Sequence, residues 1–283
     1  MDEPKIGAHV STAGGLSTAF ERAKEIGADC IQIFGASPRM WYAKLPSAEE
    51  VKKFKDEEKR SGVGPTYLHA PYLINLGTPN GDLLSKSVKN LSDHFKIAEL
   101  IGAAGVIFHI GSSAGMDKEK SREQVIKAIK KVLEDVPGKS FLVMENAAGG
   151  GEKIGKTAEE LGLIFKKVGS KRLKVCLDTA HAFESGIIKE YSAPEIKRFV
   201  EEWDKAIGLE KIVAIHANDS KTPWNSHNDR HENIGEGHIG LKGFKELAKE
   251  KRLWDKAWLL EVPGFKNEGP DKKNVDILKS CFK

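Results

Sequence analysis

Six side chains of metal-binding type, His69, His109, Glu145, Asp178, His216 and Glu261, each fall at or within two residues of the C-terminal end of a short apolar or β-branched run, and His9 is placed alike on the first such run. Three more follow these runs in connecting segments: His181, three residues beyond Asp178, and Asp229 with His231 in the stretch NDRH. Any one of these histidines alone reads as a hydrogen-bonded structural residue or a single acid or base. Their joint placement does not, because nearly every run ends in a group that is costly to bury unless it is paired or bound to a cation. Four carboxylates, Glu145, Asp178, Asp229 and Glu261, gathered in one place are expected to repel and to rise in pKa. Divalent cations resolve that conflict by holding carboxylates ionised and imidazoles neutral. Mixed N and O ligands without thiolates suit Zn2+, Mn2+ or Fe2+, and nine such ligands exceed the need of one ion. Two or three ions are expected. A carboxylate shared by two ions about 3.5 to 4 Å apart polarises a water between them and stabilises the attacking and leaving oxygens of a phosphoryl displacement.

The elements that must position these groups are runs at residues 5–10, 30–35, 65–70, 105–110, 140–146, 173–179, 212–219 and 257–262, alternating with longer amphipathic charged stretches. That alternation predicts βα units around a parallel sheet. In SAEEVKKFKDEEKRSG, Ser47 and Glu50 form a capping box, and DKEKSREQVIKAIKKVLEDV carries apolar residues at helical spacing. An echo supports repetition: AKEIGADCIQIF from Ala23 and AELIGAAGVIF from Ala98 both read helix end, glycine turn, strand, offset by 75 residues. Eight units without a linker predict a closed (β/α)8 TIM barrel, one domain over residues 1–283, with the site at the C-terminal mouth where the strand ends converge. An open doubly wound sheet is the alternative. No G-x-G-x-x-G follows the first strand, and Gly149 to Gly151 lack a phosphate-loop lysine, so that GGG is read as backbone freedom beside a site.

Composition narrows the class. With 283 residues, 40% hydrophobic and 30% charged, the chain can bury a large core and falls outside the disordered regime. A net charge of +4 permits a polyanionic partner without predicting one. Cys30, Cys176 and Cys281 are odd in number and show no C-x-x-C spacing, which excludes a disulfide scaffold and a thiolate zinc site and fits a reducing cytoplasm. No basic segment precedes an apolar leader and no eighteen apolar residues run together, so neither secretion nor membrane association is expected. Only two glutamines, Gln32 and Gln124, stand beside abundant Lys and Glu, a bias of heat-adapted proteins.

The stretches IGAHVSTAGGL from Ile6, YLHAPYLINLG from Tyr67, IFHIGSS from Ile107, MENAAGG from Met144, VCLDTAHAFESG from Val175, HANDSK from His216, DRHENIGEGHIG from Asp229 and LLEVPG from Leu259 together resemble the endonuclease IV family of apurinic/apyrimidinic endonucleases, in the family's order and over nearly the whole chain. The resemblance implies a barrel with three Zn2+, Mn2+ or Fe2+ being possible at one or more sites. It implies that Glu145 bridges two ions, His69 and His109 completing the first, Asp178, His216 and Glu261 the second, and His181, Asp229 and His231 the third. The implied reaction is attack on the phosphorus 5′ to the abasic sugar, leaving a 3′-hydroxyl, with Glu145 and Glu261 catalytic and Glu261 orienting or deprotonating the nucleophile. The implied partner is double-stranded DNA with abasic sites or blocked 3′ ends, met by a monomer in the cytoplasm, on the nucleoid. Arg39 in ASPRMW, with Tyr72 and Leu73 in APYLINLG, match the residues the family inserts into the minor groove; away from that motif, packing beneath a loop is the ordinary fate of a tyrosine and a leucine. Lys221, Trp41 and Trp224 are weaker candidates for the DNA face.

The pattern is departed from in three places. His109-Ile110-Gly111-Ser112-Ser113 stands where H-P-G-S-H is common; Asn225 and His227 in TPWNSHNDRH stand where glycine and arginine are usual; Ala147 and Gly150 replace the threonine and glutamine of E-N-T-A-G-Q-G. A rival reading is a sugar isomerase or epimerase of the xylose isomerase-like barrels, which usually need fewer ions. A catalytically dead relative is disfavoured because every expected ligand is present.

Overall fold

The computed structural model describes residues 3–283. Strands β1 (Lys5–His9), β2 (Ile31–Phe34), β3 (Thr66–His69), β4 (Gly105–Phe108), β5 (Phe141–Glu145), β6 (Leu173–Asp178), β7 (Ile212–His216) and, after a small hairpin of β8 (Asp219–Ser220) and β9 (His231–Glu232), β10 (Ala257–Leu260) are joined by helices. All but the hairpin close into a parallel barrel in the order β1-β10-β7-β6-β5-β4-β3-β2. The open sheet is thereby excluded. The run 212–219 is not one strand: β7 stops at His216, and Asp219 and Ser220 turn away to pair antiparallel with Glu232 and His231.

Local sequence explains the elements. In α2 (Ala48–Ser61) the Ser47 hydroxyl accepts from the Glu50 amide while the Glu50 carboxylate accepts from the Ser47 amide, so the capping box forms as expected. Helices α1 (Ala19–Glu25) and α3 (Gly81–Ile101) are each followed by a left-handed glycine, Gly27 (φ 72°) and Gly102 (φ 82°), which releases the chain into the next strand. That turn is the echo seen in the sequence.

Because successive strand side chains alternate, every second residue points into the barrel. A layer of Cys30, Tyr67, Ile107, Val143, Cys176, Ala214 and Leu259 fills the interior as an apolar floor. Two residues further along each chain segment stand Gln32, His69, His109, Glu145, Asp178, His216 and Glu261, with His9 two beyond Gly7 on β1. One polar ring therefore sits on one dry floor. The helices pack outside on the other strand face through Phe20, Phe54, Phe95 and Trp203, against outward strand residues such as Trp258 of β10.

Gly7 is where β1 presses closest to β2: a methyl group there would lie 1.7 Å from the Cys30 carbonyl oxygen. Since the obstruction is backbone, Gly7→Ala is expected to destabilise the barrel by about 3 kcal/mol or more, the upper end of overpacking costs. Urea unfolding checks this, and an unchanged midpoint contradicts it.

Candidate metal centre at the barrel mouth

The polar ring gathers all nine expected ligands into overlapping groups. His69, His109 and Glu145 form one; Glu145, Asp178, His216 and Glu261 a second; His109, His181 and Asp229 a third; and Asp178, His181 and His231 a fourth, with ligand atoms within 4.8 Å of one another in each. The first two are as the sequence motifs implied. The remaining set, His181, Asp229 and His231, is divided between two groups that share His181. Glu145 faces both ways: Oε2 lies 3.3 Å from His69 Nε2 and 3.0 Å from His109 Nε2, while Oε1 lies 2.9 Å from His216 Nδ1. A carboxylate so placed offers one oxygen to each of two ligand groups.

The imidazoles are held with the correct nitrogen inward. His69 Nδ1–H donates to the Ala70 carbonyl (2.7 Å), His181 Nδ1–H to the Asn146 carbonyl (2.8 Å), His231 Nδ1–H to the Glu261 carbonyl (3.4 Å), and His216 Nε2–H to Gln32 Oε1 (2.8 Å). An acceptor oxygen demands a proton on the nitrogen it meets, so the opposite nitrogen carries a lone pair into the ring. His181 Nε2 and His231 Nε2 are buried there without a hydrogen-bond partner. Buried polar atoms rarely stay unpaired, and two orphaned imidazole nitrogens among carboxylates fit divalent cations. Asp178 is prepared likewise: Oδ1 caps α6 (Thr179–Glu184) by accepting the His181 amide, and Oδ2 accepts from Asn218 Nδ2 at 2.7 Å.

The expected rise does not occur at Glu145, Glu261 and Asp229. Burial does push all three upward, but neighbouring imidazoles win: His216 and His109 hold Glu145 well below its ordinary value, His216 and His69 hold Glu261 down, and His181 holds Asp229 down. The reverse holds for the imidazoles. Burial works against protonation, yet the carboxylates raise His69 and raise His181 and His216 well above the usual value. Protonation is thus favoured at His69, His181 and His216, and a cation replaces those protons to leave each inward nitrogen its lone pair.

Asp229 and His231 come from the excursion between β8 and α8 (Gly240–Leu247), which is anchored by a residue the motif reading passed over. Asp219 is buried, and its carboxylate accepts backbone amides of Ser220, Gly235, Gly237, Ile239 and Gly240 at 2.9 to 3.2 Å. A Cβ at Gly237 would stand 2.4 Å from the Ser220 carbonyl, which accounts for glycine in IGEGHIG. The two departures in this loop also find a place: Asn225 and His227 have left-handed φ (60° and 59°), a conformation asparagine tolerates where glycine is usual, and His227 seats against Gly149 and Gly150, both at positive φ. The GGG turn is therefore backbone freedom beside the site. Gln32, Asn146, Asn218 and Lys153, whose Nζ lies 3.7 Å from Asp229 Oδ2, also line the ring and were not singled out for it. The signal for Gln32 was present, since it holds the same rank on β2 as the ligands hold on their strands.

At the rim, Tyr72 is 62% and Leu73 36% exposed, and Arg39 is exposed. Tyr72 does not pack beneath a loop; its ring stands 5.4 Å from His69 and 5.6 Å from His109 by centroids. A cavity of about 630 Å3 opens beside it, lined by Ser37, Pro38, Phe34, His9 and Glu261. The segment carrying Arg39 is tied back to α3, where Asn90 Nδ2 donates to the Met40 and Trp41 carbonyls. No helix among the described residues is long and apolar enough to cross a membrane.

Residues 20–281 match the family model of the xylose isomerase-like TIM barrel. A probable endonuclease 4 of Halothermothrix orenii is 40% identical over 276 residues, 97% of this chain and 99% of that protein. One from Aquifex aeolicus is 39% identical over 98% of this chain and 97% of its own. Among solved structures, endonuclease IV from Thermus thermophilus superposes with a TM-score of 0.87 at 35% identity, covering 98% of each chain. A D-tagatose 3-epimerase-like protein reaches 0.70 at 21% identity and shares the fold.

A divalent cation entering the ring must displace the protons on His69, His181 and His216, whose pKa values lie above the free imidazole value of about 6.5. Metal uptake by chelator-stripped protein is therefore expected to release protons and to tighten as pH climbs through and above that value. Competitive titration with a metallochromic chelator in weak buffer checks this; affinity independent of pH contradicts it.

Proposed function

Given that the chain belongs to the endonuclease IV family of xylose isomerase-like TIM barrels, we infer that it is a metal-dependent abasic-site endonuclease cutting the phosphodiester 5′ to the lesion. The observation that carries this reading is the divided Glu145 carboxylate, one oxygen toward His69 and His109 and the other toward His216. His69, His109 and Glu145 would hold a first cation, Glu145, Asp178, His216 and Glu261 a second, and His181, Asp229 and His231 a third. Zinc suits this mixed N and O set, and Mn2+ or Fe2+ suits it at one or more sites. Bound cations would supply Lewis acidity toward a phosphate oxygen and lower the pKa of water.

The chain's own residues do the rest. Glu261 offers Oε2 to the ring while Oε1 is occupied by Gln32, so the oxygen that would face the second cation is also the one that would orient the attacking water beside it. His181, Asp229 and His231 would hold the cation that meets negative charge on a leaving oxygen, with the Lys153 ammonium 3.7 Å from Asp229 Oδ2. An abasic nucleotide has lost its pairing and stacking and is cheap to extrude. Tyr72 and Leu73, exposed at the rim, serve as an apolar wedge in the minor groove with Arg39, and the cavity bounded by Tyr72, Phe34 and Glu261 receives the extruded sugar. The same attack on a terminal phosphodiester trims blocked 3′ ends. A monomer acting on DNA in the cytoplasm fits the three unpaired cysteines. The epimerase reading has only the shared barrel behind it.

A labelled duplex with one tetrahydrofuran abasic analogue tests the assignment. Incision 5′ to the analogue is expected, lost on chelation and restored by metal, and Glu145→Ala should fall to the level of the chelated protein. No incision by folded, metal-replete protein overturns it. Tyr72→Ala should weaken binding to the damaged duplex by roughly 5- to 150-fold, from the 1 to 3 kcal/mol typical of one base-stacking contact, while metal content stays unchanged; equal affinity refutes the wedge.

A further inference from the structure

Two strands of the barrel bring no residue to the four ligand groups, either from the strand or from the residue that follows it: β1, which brings His9, and β2, which brings Gln32. Gln32 is fully buried in the polar ring, and its amide makes three contacts there, using both N–H donors. Nε2 donates to Glu261 Oε1 at 2.5 Å and to His9 Nδ1 at 3.0 Å, and Oε1 accepts from His216 Nε2 at 2.8 Å. Each contact selects an atom. An amide oxygen only accepts, so His216 carries its proton on Nε2 and turns Nδ1 toward Glu145 Oε1 (2.9 Å), Glu261 Oε2 (3.4 Å) and Asp178 Oδ2 (3.8 Å). An amide nitrogen only donates, so Glu261 Oε1 is taken and Oε2 is left facing the ring. His9 must accept through Nδ1, which occupies the nitrogen nearest Glu261 and keeps this sixth imidazole of the mouth out of the ligand groups.

We propose that Gln32 is the positioning residue for the second cation: it orients two of that site's four ligands, His216 and Glu261, and withholds His9 from it. The other three oriented imidazoles lean on main-chain carbonyls, so among the described residues His216 is the one oriented imidazole of the ligand groups that leans on a side chain. The proposal rests on the multi-cation reading above, and it makes a claim that reading does not: loss of the Gln32 amide weakens one cation and spares the others.

Gln32→Met keeps the length and apolar volume and removes all three hydrogen bonds. Loss of a hydrogen-bonding partner behind a metal ligand typically weakens binding 10- to 100-fold, and that loss is expected for one equivalent alone in stepwise competition with a chelator. In protein loaded with cadmium-113, a single resonance should move. Gln32→Asn, which keeps the amide one methylene short, should weaken the same equivalent without affecting the rest. The melting temperature of each metal-free variant separates this from general loosening: equal weakening of every equivalent together with a lowered melting temperature assigns Gln32 to packing and overturns the proposal. So does an unchanged affinity series in Gln32→Met when the wild type shows separate cadmium resonances. Wild-type protein that holds fewer than two cations overturns the multi-cation reading itself, and the role of Gln32 falls with it.

Discussion

Closure of eight parallel strands imposes the constraint on which everything else in this protein rests. Inward residues come in layers two apart along each strand, and in a barrel of this size a layer of side chains meets in the middle. The floor layer of Cys30, Tyr67, Ile107, Val143, Cys176, Ala214 and Leu259 closes the interior beneath the ring with apolar side chains. The buried charges of that ring therefore lean on one another and on the amides and carbonyls beside them. The depressed carboxylates and elevated imidazoles are a consequence of this enforced company, as is the two-sided use of Glu145.

The barrel alone does not finish the site. His181 follows β6 on a helix whose N-cap is Asp178, so a ligand of one group is also the structural start of the element bearing the next. Asp229 and His231 are delivered by an irregular excursion whose ends are drawn together on the buried Asp219 carboxylate. A loop with little apolar surface of its own gains rigidity this way, by filling the orphaned amides of a glycine-rich turn.

Much of this was legible in the sequence for a physical reason: a short apolar or β-branched run ending in a titratable residue occurs again and again, and a closed barrel brings those ends together. His109 and Glu261 lie one residue past β4 and β10, so even the slight overestimate of strand length preserved their position. Three things were less visible. Carboxylate repulsion read from type alone predicted rising pKa values, and the outcome reversed because five imidazoles interleave with them. The run 212–219 looked continuous because Asn218 and Asp219 are as buried as strand residues, though they serve side-chain hydrogen bonds rather than a ladder. Gln32 escaped notice as a neutral residue, since nothing in an amide's type announces a neighbour that needs both its donor and its acceptor.

The main-chain carbonyls that orient His69, His181 and His231 carry a consequence for the protein's history. A carbonyl is supplied by whatever amino acid occupies the position, so codon changes at residue 70 or 146 that preserve the backbone leave the imidazole it holds where it was. These ligands are insulated from neutral drift. His216 alone leans on a side chain, and divergence among descendants in metal preference has its shortest route there.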